Sequence, residues 1–310
     1  MGRSTYSEAS LSDQRPLPFL PSELPATKPR NEKNFKSLQC PLWTENKARL
    51  IQEYIRLFTF VTKHGAYIDG FAAPQRRNHI DLCSAKLVLE NEPKWVRDFW
   101  LCDIDPKGIV LLEEIKAANE AKGRTINVIP GDFNQTIQGI LASGRIREKT
   151  ATFALLDQRT FECDWATVRK IAEHKKGMKI EIFYFFPTGW IDRSIAAISR
   201  PEAAAQAERC WGRADWRDLQ GLNSVDRAYL IGRRFKEELG YEWVYPYPIH
   251  KKILHGRTMY HMIHATDHPD APPLMLRAYR KVSGNRNWSK EITQSDLAEL
   301  WGPEPLPNAG

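Results

Sequence analysis

The chain is expected to fold as a Rossmann-like α/β protein, a doubly wound, mostly parallel seven-stranded sheet with a C-terminal antiparallel strand pair and helical additions. Three observations predict it. Short apolar runs alternate with longer stretches of helical periodicity, in units of about 30 residues, as strand–helix–strand crossovers require. The fifth run, Ile180–Phe186, is apolar at nearly every position, as a strand covered on both faces must be. An acidic residue stands at or near the carboxyl end of four of the first five runs, on the rim where open parallel sheets bind their ligands.

The elements follow in order. Pro16, Pro18, Pro21, Pro25 and Pro29 crowd a charged, Ser-rich opening, so residues 1–34 read as a disordered arm. An α/β unit is expected over 35–290, with a helical insertion at about 195–240 and a Pro-rich tail at 291–310. Ala48, Ile51, Ile55, Phe58 and Val61 recur at helical spacing, predicting a helix from Thr44 to Lys63. Strands are predicted at Ala66–Phe71, Phe99–Ile104, Ile126–Pro130, Ala151–Leu156 and Ile180–Phe186. Helices are predicted at Ser84–Glu92, Pro106–Lys122, Asn134–Ser143 and Trp165–Lys175, then at Pro201–Cys210 and Val225–Leu239. Two extended stretches, Tyr241–Ile253 and Thr258–Thr266, supply the closing pair, with Leu274–Tyr279 a further short piece.

Composition narrows the class. The 310 residues carry 42% hydrophobic side chains and a formal charge of +7, which permits a polyanionic partner without requiring one. No run approaches the roughly 18 apolar residues that span a bilayer, so no membrane partner is expected. The first residues lack the apolar centre of a signal peptide. Cys40, Cys83, Cys102, Cys163 and Cys210 are scattered and form no CxxC pair, which argues against a zinc site and fits reduced thiols in a cytoplasmic protein.

The chemistry is expected on the carboxyl rim. The first strand runs into Asp69-Gly70-Phe71-Ala72-Ala73-Pro74, the second into Asp103-Ile104-Asp105, the third into Gly131-Asp132-Phe133-Asn134. The fourth runs into Asp157-Gln158-Arg159-Thr160 and the fifth into Pro187-Thr188-Gly189-Trp190. A single Asp after a strand is ordinarily a helix N-cap; four on one rim point to a nucleoside pocket. The glycine pattern G-x-G-x-x-G that cradles a pyrophosphate is absent, which disfavours a dinucleotide. A nucleoside with a cationic arm and no phosphate, S-adenosylmethionine (SAM), fits better. Asp69 and its loop (Gly70, Phe71, Ala72) would face the ammonium and sulfonium, and Asp103 with Asp105 the ribose. Asp132 with Phe133 would face the adenine. Ala73 is expected to narrow the pocket.

Asp157 lies one layer closer to the opening and is the catalytic candidate. Arg159 beside it suits an anionic substrate group held by a planar fork. Gln158, Pro187 and Trp190 are expected at the substrate, Trp190 either stacking on a base or plugging the core.

At these residues the sequence resembles the three-Cys-motif partner (TcmP) proteins, which look like class I SAM-dependent methyltransferases. The resemblance rests on Tyr67-Ile68-Asp69-Gly70-Phe71-Ala72, on Gly131-Asp132-Phe133-Asn134 and on Leu156-Asp157-Gln158-Arg159-Thr160-Phe161-Glu162-Cys163. It continues through Trp165–Lys175, Phe185-Phe186-Pro187 and Tyr260-His261-Met262-Ile263-His264-Ala265-Thr266. It implies a methyltransferase-like fold, SAM as cofactor and a radical-SAM-like protein with a three-cysteine motif as partner. Two departures stand out. Ala73 and Gln75 replace the later glycines of Asp-x-Phe-Ala-Gly-x-Gly. Asp157-Gln158-Arg159-Thr160 replaces the Asp/Asn-Pro-Pro-Tyr/Phe of amino-directed enzymes.

The leading expectation is thus a SAM-binding methyltransferase-like enzyme acting on a nucleic acid or nucleotide. A catalytically degenerate scaffold for the three-Cys-motif partner is the alternative, and a metal-dependent nuclease comes last. Arg76-Arg77, Arg233-Arg234, Lys251-Lys252 and Arg277/Arg280/Lys281 are candidate contacts to a nucleic-acid backbone. His261 and His264, three apart on a strand, point to opposite faces and are not expected to share a metal.

Overall fold

The computed structural model describes residues 42–74, 77–250 and 258–282. The arm expected over 1–34, the tail over 291–310, Cys40 and the basic residues Arg76 and Lys251-Lys252 lie outside these residues.

Seven strands form one sheet in the order β3-β2-β1-β4-β5-β7-β6. They are β1 (Gly65–Asp69), β2 (Val96–Asp103), β3 (Thr125–Pro130), β4 (Thr152–Leu156), β5 (Glu181–Phe186), β6 (Trp243–His250) and β7 (Thr258–Thr266). β1 to β5 pair in parallel. β7 inserts antiparallel between β5 and β6. The order reverses between β1 and β4, which opens a crevice at the carboxyl ends of those strands. The expected fold class is the observed one.

Each strand is apolar on both faces because each face has its own core. Tyr67, Phe99, Phe153, Phe183 and Met262 belong to one cluster, with α1 (Leu42–Thr62) and α2 (Ser84–Leu89) above them. Their immediate neighbours Ile68, Trp100, Ala154, Tyr184 and Ile263 belong to the other. That second face is covered by α4 (Phe133–Leu141), α5 (Trp165–Glu173) and the insertion helices, while α3 (Pro106–Asn119) lies on the first. The period-two alternation of side chains along a strand is what sorts them.

The insertion comprises α6 (Ile191–Ala196), α7 (Pro201–Trp211), a 3₁₀ segment Ala214–Leu219 and α8 (Ser224–Glu237). α7 stops at Gly212, whose left-handed backbone (φ 78°) sits directly on Trp165; both the dihedral and the contact demand glycine. Arg234, 2% exposed, lies between the Trp165 and Trp211 rings and pairs with Glu238. Arg233 pairs with Glu237. The expected Arg233-Arg234 cluster is thereby largely spent on its own helix. Lys281 likewise pairs with Glu53 of α1, and Arg280 is buried.

Leu274–Tyr279, expected as a further short piece after the strand pair, lies inside α9 (Ala271–Val282). Pro272-Pro273 reads as a breaker in sequence, yet proline is tolerated in a first helical turn. Ala271, Met275, Leu276 and Ala278 bury one helical face.

Candidate cofactor and acceptor site

The strand register grades the rim acids by depth. Asp69 is level with Leu101 of β2 and Leu155 of β4. Asp103 and Asp157 therefore stand two residues further out, about 6–7 Å at strand rise. Asp132 lies two beyond Pro130, the partner of Asp103.

Asp69 is 1% exposed. It accepts from the Phe71 amide at 3.2 Å and the Tyr67 hydroxyl at 3.1 Å. Burial, with the negative charge of Asp157 next in weight, pushes its pKa up to about 7 despite those two donors.

Asp103 is the hub of the cofactor side. One carboxylate oxygen accepts from the Ala73 amide at 3.0 Å, the other from the Asp105 amide at 2.9 Å. Each oxygen retains acceptor capacity for a further donor. Asp105 caps α3 by accepting from the Lys107 amide at 3.1 Å, with Pro106 opening the helix. Asp105 is thus the helix cap that a lone post-strand Asp ordinarily is. Ile104, between the two acids, is 72% exposed.

The loop after β1 is pinned from three sides. The Gly70 amide donates to Leu155 and the Ala72 amide to Cys102. A Cβ at Gly70 would stand 2.8 Å from the Phe133 ring, which is 2% exposed and packs on Phe71. Phe133 therefore backs the loop from within the core and does not stand on the rim as the sequence reading expected. Ala73 does not narrow the crevice either. Its methyl faces Gly108 of α3, where any Cβ would overlap it. The glycine missing from the loop has its counterpart on the helix the loop packs against.

Asp132 caps α4, accepting from the backbone and side-chain amides of Asn134 at 2.9 Å. Both donors reach the same oxygen, and the other accepts no hydrogen bond among the described residues.

The acceptor side is assembled differently. Asp157 pairs with Lys47, which reaches it from α1 across 110 positions of sequence; their side chains are 11% and 18% exposed. The Lys47 ammonium also lies 5.9 Å from the Tyr260 ring centre. Lys47 falls on the apolar stripe of α1, four residues before Ile51 and seven before Tyr54. A cation at that position was the signal of a buried partner that the sequence reading passed over.

Gln158 is 1% exposed, and its carbonyl accepts from the amides of Glu162 and Cys163 at 2.8 Å. Its amide nitrogen points to the Phe185 carbonyl at 3.4 Å. Gln158 therefore shapes the loop and presents nothing outward, contrary to its expected place at the substrate. The Arg159 side chain is exposed, while its backbone amide donates to Glu162 at 2.9 Å.

After β5, Pro187 and Thr188 are buried. Arg227 of α8, 3% exposed, donates to the Thr188 carbonyl at 2.8 Å and pairs with Asp192. The Thr188 hydroxyl lies 2.7 Å from His261 and 3.0 Å from Ser224. Gly189 passes so close to the Met259 carbonyl that a side chain has no room. Trp190 is half-buried, its ring centre 5.7 Å from that of Phe185 and 5.9 Å from that of Tyr260. This is nearer the core plug than a free stacking platform.

The strand order and this rim define a class: a Rossmann-like α/β protein with the sheet of class I methyltransferases. No protein-family model and no curated protein matches the chain. Among solved structures it resembles Trm5b from Pyrococcus abyssi at 16% identity and a TM-score of 0.34, covering 70% of this chain and 48% of that one. The chain thus spans about half of that protein. It resembles M. jannaschii TYW2 in complex with AdoMet at 12% identity and a TM-score of 0.36, over 70% and 75% of the two chains. It also resembles protein LPL1258 from Legionella pneumophila at 10% identity and a TM-score of 0.42, over 84% and 95%. No described helix is long and apolar enough to cross a membrane.

Proposed function

We propose that the chain binds SAM at the carboxyl ends of β1 and β2, as a methyltransferase-like enzyme acting on a nucleic acid or nucleotide. The observation that carries this is the graded acidic rim, with Asp69 buried at its floor and Asp103 and Asp157 two residues further out. The residues fit the group. Asp103 is held by two backbone amides with lone pairs left for the ribose hydroxyls. Ile104 offers an exposed apolar side chain to an adenine face. The unused oxygen of Asp132 suits the adenine amino group.

When bound, SAM supplies an electrophilic methyl group. The protein's share of such a reaction is chiefly positioning in a water-poor site. Asp157 accepts a hydrogen bond from, or takes the proton of, the attacking group, and Lys47 fixes the orientation of the carboxylate. Arg159, exposed two positions after Asp157, would offer its planar fork to a phosphate. Calorimetry with SAM tests the reading. Wild-type protein should bind, and Asp103→Ala should lower affinity by about 10- to 100-fold, the worth of charge-assisted hydrogen bonds to two hydroxyls. A folded wild type that does not bind SAM overturns it.

A second reading draws on the Lys47–Asp157 pair, which already occupies the acceptor-side carboxylate. In that reading the chain is a three-Cys-motif partner that serves a radical-SAM-like protein as a scaffold. A stable complex with such a protein together with absent SAM affinity would favour it.

A further inference from the structure

A second cavity, of about 460 Å³, lies at the opposite end of the sheet, where β4 and β5 begin and β7 ends. Its walls come from the last turns of α1, the segment leading into β4, the turn before β5 and the first turn of α9. That size is within the range of small-molecule pockets. Phe58, Val61, Met178 and Leu274 make much of its lining. Val61 and Met178, both in this lining, leave 50% and 51% of their surface in solvent.

One cation is built into this wall. Lys175 is 5% exposed, and its ammonium donates to the Thr150 carbonyl and, at 3.2 Å, to the Thr152 hydroxyl. Both acceptors are neutral, and no carboxylate pairs with it among the described residues. Its neighbour Lys179, by contrast, pairs with Asp267 at 3.2 Å. Burial pulls the Lys175 pKa down to about 8 and outweighs the opposing charge of Glu148, which also lines the cavity. An ammonium has three donors, so one remains for a ligand.

Glu181, also in the wall, is not the missing partner. Its carboxylate accepts from Tyr54, from His264 Nε2 at 2.8 Å and from the Thr266 hydroxyl at 3.2 Å. All three donors are fixed by packing at 3% exposure or less.

We propose that this cavity binds a small monocarboxylate with an aliphatic or aromatic body, its carboxylate on Lys175 and its apolar part against Phe58, Val61, Met178 and Leu274. The site is separate from the SAM crevice, and the proposal stands whether or not SAM binds there. A carboxylate would pair directly with the buried ammonium, which among the described residues donates only to neutral groups, while the apolar body would cover Val61 and Met178.

The experiment is calorimetry of the full chain with octanoate, 1-octanol and octylamine. Octanoate is expected to bind at least about tenfold more tightly than 1-octanol, as one charge-assisted hydrogen bond provides. Lys175→Met is expected to erase that difference and Leu274→Trp to abolish octanoate binding by filling the cavity, with circular dichroism confirming both folds. SAM binding in either variant is expected to match wild type. Absence of octanoate binding overturns the proposal, as does equal affinity for octanoate and 1-octanol in the wild type, a comparison that needs no variant. Tighter binding of octylamine than of octanoate overturns it too, by assigning the site to Glu181.

Discussion

The two halves of the carboxyl rim are built by different means. On the β1–β3 side, the contacts are short in sequence and run through backbone: Asp103 to Asp105, Asp105 to Lys107, Asp132 to Asn134, Asp69 to Phe71. On the β4–β5 side they are long-range and run through side chains: Lys47 to Asp157, Arg227 to Thr188, Thr188 to His261. The first half is a rigid cradle specified by local turns. The second depends on α1, α8 and β7 arriving in place, so it can change its chemistry without disturbing the cradle.

The sharpest break in the comparison is within the cradle. Gly108→Ala places a methyl against that of Ala73 and is expected to cost about 1–3 kcal/mol by overpacking. The double substitution Ala73→Gly, Gly108→Ala should recover most of it, since alanine is favoured in a helix by about 1 kcal/mol over glycine. Urea denaturation of the three variants checks this; failure of the double variant to recover breaks the compensation argument.

On the acceptor side, Lys47→Met leaves Asp157 largely buried beside no cation. We expect a loss of about 1–3 kcal/mol, partly restored by adding Asp157→Asn. Denaturation midpoints that are additive in the double variant would show that the pair does not couple.

Asp69 connects the two halves, because the charge of Asp157 contributes to its raised pKa. The sign follows from linkage. The folded carboxyl, at about 7, holds its proton between pH 4 and 7 while the unfolded chain has released it, so stability falls as pH rises through that window. Asp69→Asn should therefore melt higher than wild type at pH 8, by a margin that shrinks toward pH 4. SAM, a cation, should bind more tightly as pH rises through 7 in the wild type, and Asp69→Asn should lose that dependence. A melting difference that does not vary with pH would show that Asp69 does not titrate in this range.

The smallest effect is expected at Arg159, which is exposed. Arg159→Ala should change stability by no more than about 0.5 kcal/mol while reducing the salt dependence of any nucleic-acid binding by about one ion. An unchanged salt slope in a filter-binding titration would remove Arg159 from the substrate path.

The same division explains what the sequence revealed. The strands and the acidic rim are written in neighbouring residues, so pattern alone exposes them; the strand order and the capping of α3 and α4 by Asp105 and Asp132 emerge only in the structure. Lys47, Gly108 and Arg227 act on residues distant in sequence, and each looked like an ordinary helical position. Phe133 and Gln158 were misplaced for a related reason: sequence shows that a residue follows a strand, but not whether its side chain turns outward or beneath the loop. The segment expected as a short piece at Leu274–Tyr279 belongs to the longer helix Ala271–Val282, whose first turn accommodates Pro272 and Pro273.

Hydrogen exchange with and without SAM tests the central claim most directly, because it locates binding as well as detecting it. The account expects slowed exchange at the amides of Gly70–Ala73 and Asp105–Gly108, with Thr150–Thr152 and Lys179–Glu181 unchanged. Protection confined to the amino-end cavity, or binding that leaves the β1 and β2 loops unprotected, would contradict it.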